Sequence, residues 1–179
     1  MILSSDDIRR YIQDYALIEP VSEARLSFIE GCAFDLQLAK VEQPRLTVNS
    51  ATIAEAYRRL PEFVEYKQGD NGLWGLAPGR AYKLTSLETV NMPYDLRGEI
   101  IARRSLPEAG LLCQCTGVAP GYCGTLSIIV YNAYPFTAFL GPRSRFAAVQ
   151  FFKITEGATD PYKGPRQGNR PLGVVAPPH

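Results

Sequence analysis

A chain of 179 residues with 19 basic and 18 acidic side chains carries no long-range field of one sign, which excludes a general attraction to nucleic acid or to an anionic membrane surface. Apolar residues make up 46% and charged residues 21%, the balance of a folded globular chain rather than a disordered one. The length suits one domain over residues 1–179 with a core of its own.

In chain order, Ser4 and Ser5 before Asp6 and Asp7 cap a helix on which Ile8, Tyr11 and Ile12 recur at helical spacing. A second helix is predicted after Ser50, with Ile53, Ala54, Tyr57 and Leu60 on one stripe and Pro61 ending it. The rest reads as strand and turn. Strands are predicted at Ala81 to Leu84, Glu99 to Ala102, Leu111 to Cys115, Thr125 to Tyr131 and Phe146 to Ile154, divided by Pro-Gly, Asn-Met-Pro and Gly-Pro punctuation. Many short strands with regular turns predict a mainly β barrel or sandwich. Gly164 to His179, rich in Pro and Gly, has little to bury and is expected to order only against a ligand or a neighbouring subunit.

No apolar run approaches the roughly 20 residues a membrane helix needs, and the opening MILSSDDIRRYI lacks the charged-then-apolar order of a signal peptide. A cytoplasmic protein with no membrane partner is expected. Cys32, Cys113, Cys115 and Cys123 are then expected to remain reduced thiols. Three of them, Cys113, Cys115 and Cys123, fall close together, but structural zinc usually takes four ligands and the single histidine is His179. No metal site is expected.

Several motifs occur in one order along the chain: Glu30-Gly31-Cys32-Ala33-Phe34-Asp35-Leu36-Gln37-Leu38, Ala77-Pro78-Gly79, Leu87-Glu88 with Met92-Pro93, and the run from Arg103 to Leu111. Pro120-Gly121-Tyr122 and Pro161-Tyr162-Lys163-Gly164 with Gln167-Gly168 complete the series. Together they resemble the dCTP deaminase/dUTPase family, and dCTP deaminases above all. The resemblance implies a distorted β-barrel with an N-terminal helix and one or two short helices, assembled as a homotrimer whose active sites lie where subunits meet. It also implies a deoxynucleotide ligand. Arg103, Ser105, Lys163 and Gln167 fall at positions that hold phosphates, Tyr122 at the aromatic against the sugar, and Tyr162 in the tail that closes over the triphosphate. Any Mg²⁺ is expected to arrive with the triphosphate, not as a cofactor of the chain.

The chain departs from the family at its chemistry. Ala119 stands where the family motif carries an aspartate, and Ile129 where deaminases carry the general-base glutamate. A general base contributes typically about 10²- to 10⁴-fold, and an alkyl side chain cannot accept a proton. Strand periodicity puts Thr125, Ser127, Ile129 and Tyr131 on one face, so Ile129 is the apolar member of a largely polar row. Arg104 occupies the place of a serine and Glu108 that of a phosphate-binding arginine; four residues apart, the two also suit a surface ion pair on a helical turn. Arg103 suits an ion pair as well as a phosphate, Tyr122 a core aromatic, and Lys163 a solvated loop. Asp35 reads as structural, since aspartate commonly bonds its own backbone in turns. Three functions stay open: a deaminase-like protein with lost or reduced catalysis, an active deaminase or pyrophosphatase with relocated groups, and a trimeric scaffold.

Overall fold

In the computed structural model, residues 1–45, 51–53 and 58–164 are described. The chain opens with α1 (Ser5–Tyr15). Ser4 Oγ accepts the Asp7 N–H while the Asp7 carboxylate accepts the Ser4 N–H, a reciprocal cap that satisfies two donors at the helix start. Ile8 and Tyr11 form its buried stripe.

Next come β1 (Ile18–Glu19), a 3₁₀ helix (Glu23–Phe28), β2 (Ile29–Glu30), β3 (Ala33–Pro44), β4 (Thr52–Ile53), β5 (Arg58–Arg59), β6 (Phe63–Glu65) and β7 (Trp74–Leu76). The second half holds β8 (Ala81–Asn91), β9 (Leu96–Ala102), α2 (Ser105–Glu108), β10 (Leu111–Gln114) and β11 (Gly117–Val118). It closes with β12 (Cys123–Asn132), β13 (Ala138–Leu140) and β14 (Arg145–Lys153).

Ten strands join one sheet in the order β10-β12-β8-β3-β14-β9-β11, with β1 on β8 and both β2 and β6 on β3. Every pairing in it is antiparallel. The sheet curls into an incomplete barrel around Phe34, Leu36, Leu84, Ile128, Phe146 and Phe151. The mainly β fold expected from the strand-and-turn pattern is therefore present. β14 buries four successive residues, Phe146 to Val149, as a strand covered on both faces does. β12 alternates instead: Leu126, Ile128 and Val130 enter the core, while Thr125, Ser127, Ile129 and Tyr131 face outward.

One predicted element is overturned. The described residues of the helix expected after Ser50 are strand instead, Thr52–Ile53 pairing antiparallel with Arg58–Arg59 as a small β-ladder; Ala54 and Tyr57 of the expected stripe lie outside the described set. The apolar spacing misled because it had no face to bury: Ile53 is 78% exposed and Leu60 48%. Without burial, propensity decides, and Thr52 and Ile53 are β-branched.

Candidate functional site

β8 ends at Asn91, and the residue after it anchors the turn that leads into β12. Met92 N–H donates to Tyr122 O at 2.8 Å, and Gly121 N–H returns a bond to Met92 O at 3.0 Å. Tyr122 N–H closes the turn on Ala119 O at 3.2 Å. Gly121 sits at φ +76°, and a Cβ there would lie 2.6 Å from Pro161 Cβ and 3.0 Å from the Tyr94 ring. Only glycine fits both the backbone and the space.

This turn, the ends of β11 and β12, and Ile100 of β9 enclose a cavity of about 250 Å³. Thr116, Thr125 and Ser127 bring hydroxyls to it, Ala119 a methyl group, and Tyr122 and Tyr162 aromatic rings. Tyr122 donates its hydroxyl hydrogen to Thr125 O at 2.6 Å, which fixes the ring across the hairpin. Tyr162 packs edge-on to Tyr122 with centroids 5.6 Å apart, and its N–H donates to Pro120 O at 2.8 Å. Pro161 and Tyr162 thus fold back over their own chain's hairpin.

Among the lining residues there is no Asp, Glu, His, Lys, Arg or Cys. Hydroxyls and phenols can orient a polar ring, but none of them is a strong proton acceptor near neutral pH. Ile129 is half-buried on the same outward row as Thr125 and Ser127, outside the cavity lining. Its cross-strand neighbours are Lys83 of β8 and Gln114 of β10.

Lys83 leads to a carboxylate that the motifs did not single out. Its Nζ lies 2.8 Å from Glu42 of β3, which also meets Lys40 at 3.4 Å. Burial pushes the Glu42 carboxyl up, yet Lys83 and Lys40 outweigh it and hold the group below the usual carboxylate range. Lys40 and Glu42 stand two apart on one strand face, which was the available sequence signal.

The arginine segment after β9 is organised differently. Arg103 Nη1 donates to both oxygens of Asp35 at 2.9 Å and to Glu30 at 3.2 Å, and Arg145 adds a bond to Asp35 at 3.1 Å. Asp35 is 2% exposed. Burial drives its carboxyl upward against the pull of Arg103 and Arg145, while the bonds that Arg103 donates to Glu30 and Asp35 hold it all the more firmly in its charged form. The partners of Asp35 are therefore two arginines distant in sequence, Arg103 just after β9 and Arg145 of β14.

Arg104 is 91% exposed and pairs with Glu108 at 2.7 Å on α2. Ser105, the first residue of α2, is also exposed. Lys163 is exposed and lies 3.6 Å from Asp160, and Gln167 lies outside the described residues. Of the sequence-derived positions, Ala119, Tyr122 and Tyr162 meet at the cavity; Arg103, Arg104, Ser105 and Lys163 do not line it. Glu88 is fully buried, paired with Arg25 and accepting the Gln37 N–H at 3.0 Å. Glu99 pairs with Arg97.

The thiols offer no substitute nucleophile. Burial, with Cys115 nearby, pushes Cys113 up to about 11, and burial raises Cys115 as well. Both stay protonated near neutral pH. Among the described residues no group of three or more His, Cys, Asp or Glu side chains is placed to hold a metal ion, and no helix is long and apolar enough to cross a membrane.

The curled antiparallel sheet is of the fold class found in dUTPases and dCTP deaminases. The 2'-deoxycytidine 5'-triphosphate deaminase of Agrobacterium tumefaciens superposes with a TM-score of 0.63 at 16% identity over 84% of this chain. This chain spans about half of that one, 47% of its length. A dUTPase from Staphylococcus aureus phage phi11 superposes at 0.51 with 11% identity, over 82% of this chain and 95% of its own.

The chain belongs to the dCTP deaminase-like family, whose profile matches residues 2–154. It is 32% identical over 174 residues to a dCTP deaminase of Thermococcus kodakarensis, covering 97% of each chain. It is 30% identical over 171 residues to a dUMP-forming dCTP deaminase of Dictyoglomus turgidum, covering 90% of this chain and 85% of that one.

Proposed function

We propose that this protein binds a pyrimidine deoxynucleotide in the hairpin cavity and that its hydrolytic step is lost or strongly reduced. The observation that carries the reading is the lining itself: a neutral, hydroxyl-bearing recess with Ala119 where the family's aspartate stands and no carboxylate on its walls. A ring can be oriented there by Thr116, Thr125 and Ser127 and packed against Tyr122. Water beside it meets no strong proton acceptor, which forfeits about 10²- to 10⁴-fold in rate. Mg²⁺ would be held by the oxygens of a bound triphosphate, because the lining supplies hydroxyl-bearing side chains but no carboxylate.

The same reading includes a homotrimer in which the phosphate end of each site is completed by a neighbouring copy. The exposure of Arg104 and Ser105 away from the cavity within one chain supports it. Light scattering should then give three times the 19.8 kDa chain mass, and a monomer would remove this part. The free cysteines fit a reducing cytoplasm.

Titration calorimetry with dCTP, dUTP and dTTP, paired with product analysis in Mg²⁺, tests the whole. Binding with turnover at the rate of buffer supports it, and no heat at millimolar ligand removes the nucleotide. A second reading, an active enzyme with a relocated base, is favoured by Glu42, which bonds Lys83 beside Ile129 and also accepts the Thr85 hydroxyl at 3.4 Å. Turnover that disappears in Glu42→Gln would establish that reading.

A further inference from the structure

The outward row of β12 runs past the hairpin cavity. Ser127 lines that cavity, Ile129 follows, and Tyr131, about 13 Å from Ser127 at the usual strand rise, lines a second cavity of about 540 Å³. Its other walls include Gln43 and Pro44 at the end of β3 and Gly79, Arg80 and Tyr82 at the start of β8. This volume falls within the range of about 300–1,000 Å³ typical of small-molecule sites.

Three polar side chains on its walls have no partner among the described residues. Neither the Gln43 amide, the Arg80 guanidinium nor the Tyr131 hydroxyl makes a side-chain hydrogen bond or ion pair with another described residue. The chain nearby is held firmly. Gly79 N–H donates to Asn132 O at 2.8 Å and Asn132 N–H to Arg80 O at 3.1 Å. Fully buried Asn132 donates its amide to Leu76 O and Phe136 O, each at 2.8 Å. Tyr82 accepts the Ala77 N–H at 3.0 Å. Gly79 itself sits at φ +67°, beside the Tyr131 hydroxyl. A rigid, partly apolar recess with a few unspent polar groups is the ordinary architecture of a ligand pocket.

We propose that this cavity is a second ligand site for a planar aromatic ring bearing one anionic group, with the ring against Tyr131 and Pro44, its polar edge on Gln43 and its anion on Arg80. One arginine with no partner among the described residues matches one phosphate or carboxylate and gives a charge-assisted, bidentate contact. The site is independent of the nucleotide reading of the hairpin cavity.

The test is ligand-detected NMR and calorimetry on the full chain with AMP, dUMP, 4-hydroxybenzoate and inorganic phosphate as probes. The proposal expects at least one ring-bearing probe to bind, with the nucleotide and benzoate arms telling which source of anion is preferred. Arg80→Gln and Tyr131→Ala should each weaken that binding by about tenfold or more. Both positions are exposed, so unchanged circular dichroism is expected to confirm folding. Ser127→Trp, which fills the hairpin cavity, should leave it intact. Three outcomes overturn the proposal: no probe binds at millimolar concentration, inorganic phosphate binds as tightly as the ring-bearing probes, or binding is lost in Ser127→Trp and kept in Arg80→Gln.

Discussion

The hairpin cavity and the arginine cluster around Asp35 share strand β9, whose Ile100 lines the first and whose end leads into Arg103 of the second, yet their electrostatics are opposite. The cavity is neutral and lined by hydroxyls. The cluster is fully charged, and its charges are already engaged: Arg103 is divided between Asp35 and Glu30, and Arg145 shares Asp35. Two positions of the motif series thus have opposite surroundings. Tyr122 stands where a ligand could reach it, while Arg103 holds three strands, β2, β3 and β9, together at one end of the sheet.

The largest effect should come from restoring acidity to the neutral region. Ala119→Asp combined with Ile129→Glu is expected to raise deamination or pyrophosphate release by about 10²-fold or more over the parent protein. Product chromatography after incubation with dCTP and dUTP reads it directly. An unchanged rate would mean that the cavity lacks more than its proton acceptors.

On the charged side, Arg103→Ala leaves a buried carboxylate with one arginine in place of two and should destabilise the fold by about 3 kcal/mol in urea unfolding. If Arg103 served only a ligand, stability would hold and the comparison would fail. Gly121→Ala forces a side chain into the left-handed region and against Pro161. It should cost about 1–2 kcal/mol and lift Tyr162 from the hairpin, visible as loss of the Tyr122–Tyr162 ring contact by NMR.

Glu42 supplies a pH prediction. Its folded carboxyl titrates below the ordinary 4.5, so its stabilising contribution is complete above that value and is lost as pH falls through the lower folded value. Glu42→Gln should flatten this acid limb in denaturation midpoints measured across pH; an unchanged limb would show that other carboxylates set it. The smallest effect belongs to Arg104→Ala, whose exposed pair with Glu108 should contribute under about 0.5 kcal/mol.

Much of this organisation was legible where the signal is local. Ser4 and Asp7 announce the cap of α1, and the alternation from Thr125 to Tyr131 places Ile129 on the outward row where it is found. The segment after Ser50 was misread because helical spacing of apolar residues is informative only when a core receives them. The partners of Arg103 were hidden for another reason: Asp35 lies 68 positions away, and only the strand order β3-β14-β9 brings the two together. Gln43, Arg80 and Tyr131 meet by the same non-local route, and no spacing in the sequence could have joined them.

One experiment separates the two halves of the proposed function, deoxynucleotide binding in the hairpin recess and the absence of water activation there. The direct test is to saturate the purified, metal-checked protein with dCTP and with dUTP in Mg²⁺ and to follow ammonia and pyrophosphate over a long incubation. Calorimetric binding with release no faster than in buffer is the predicted result. Rapid release of either product would contradict it.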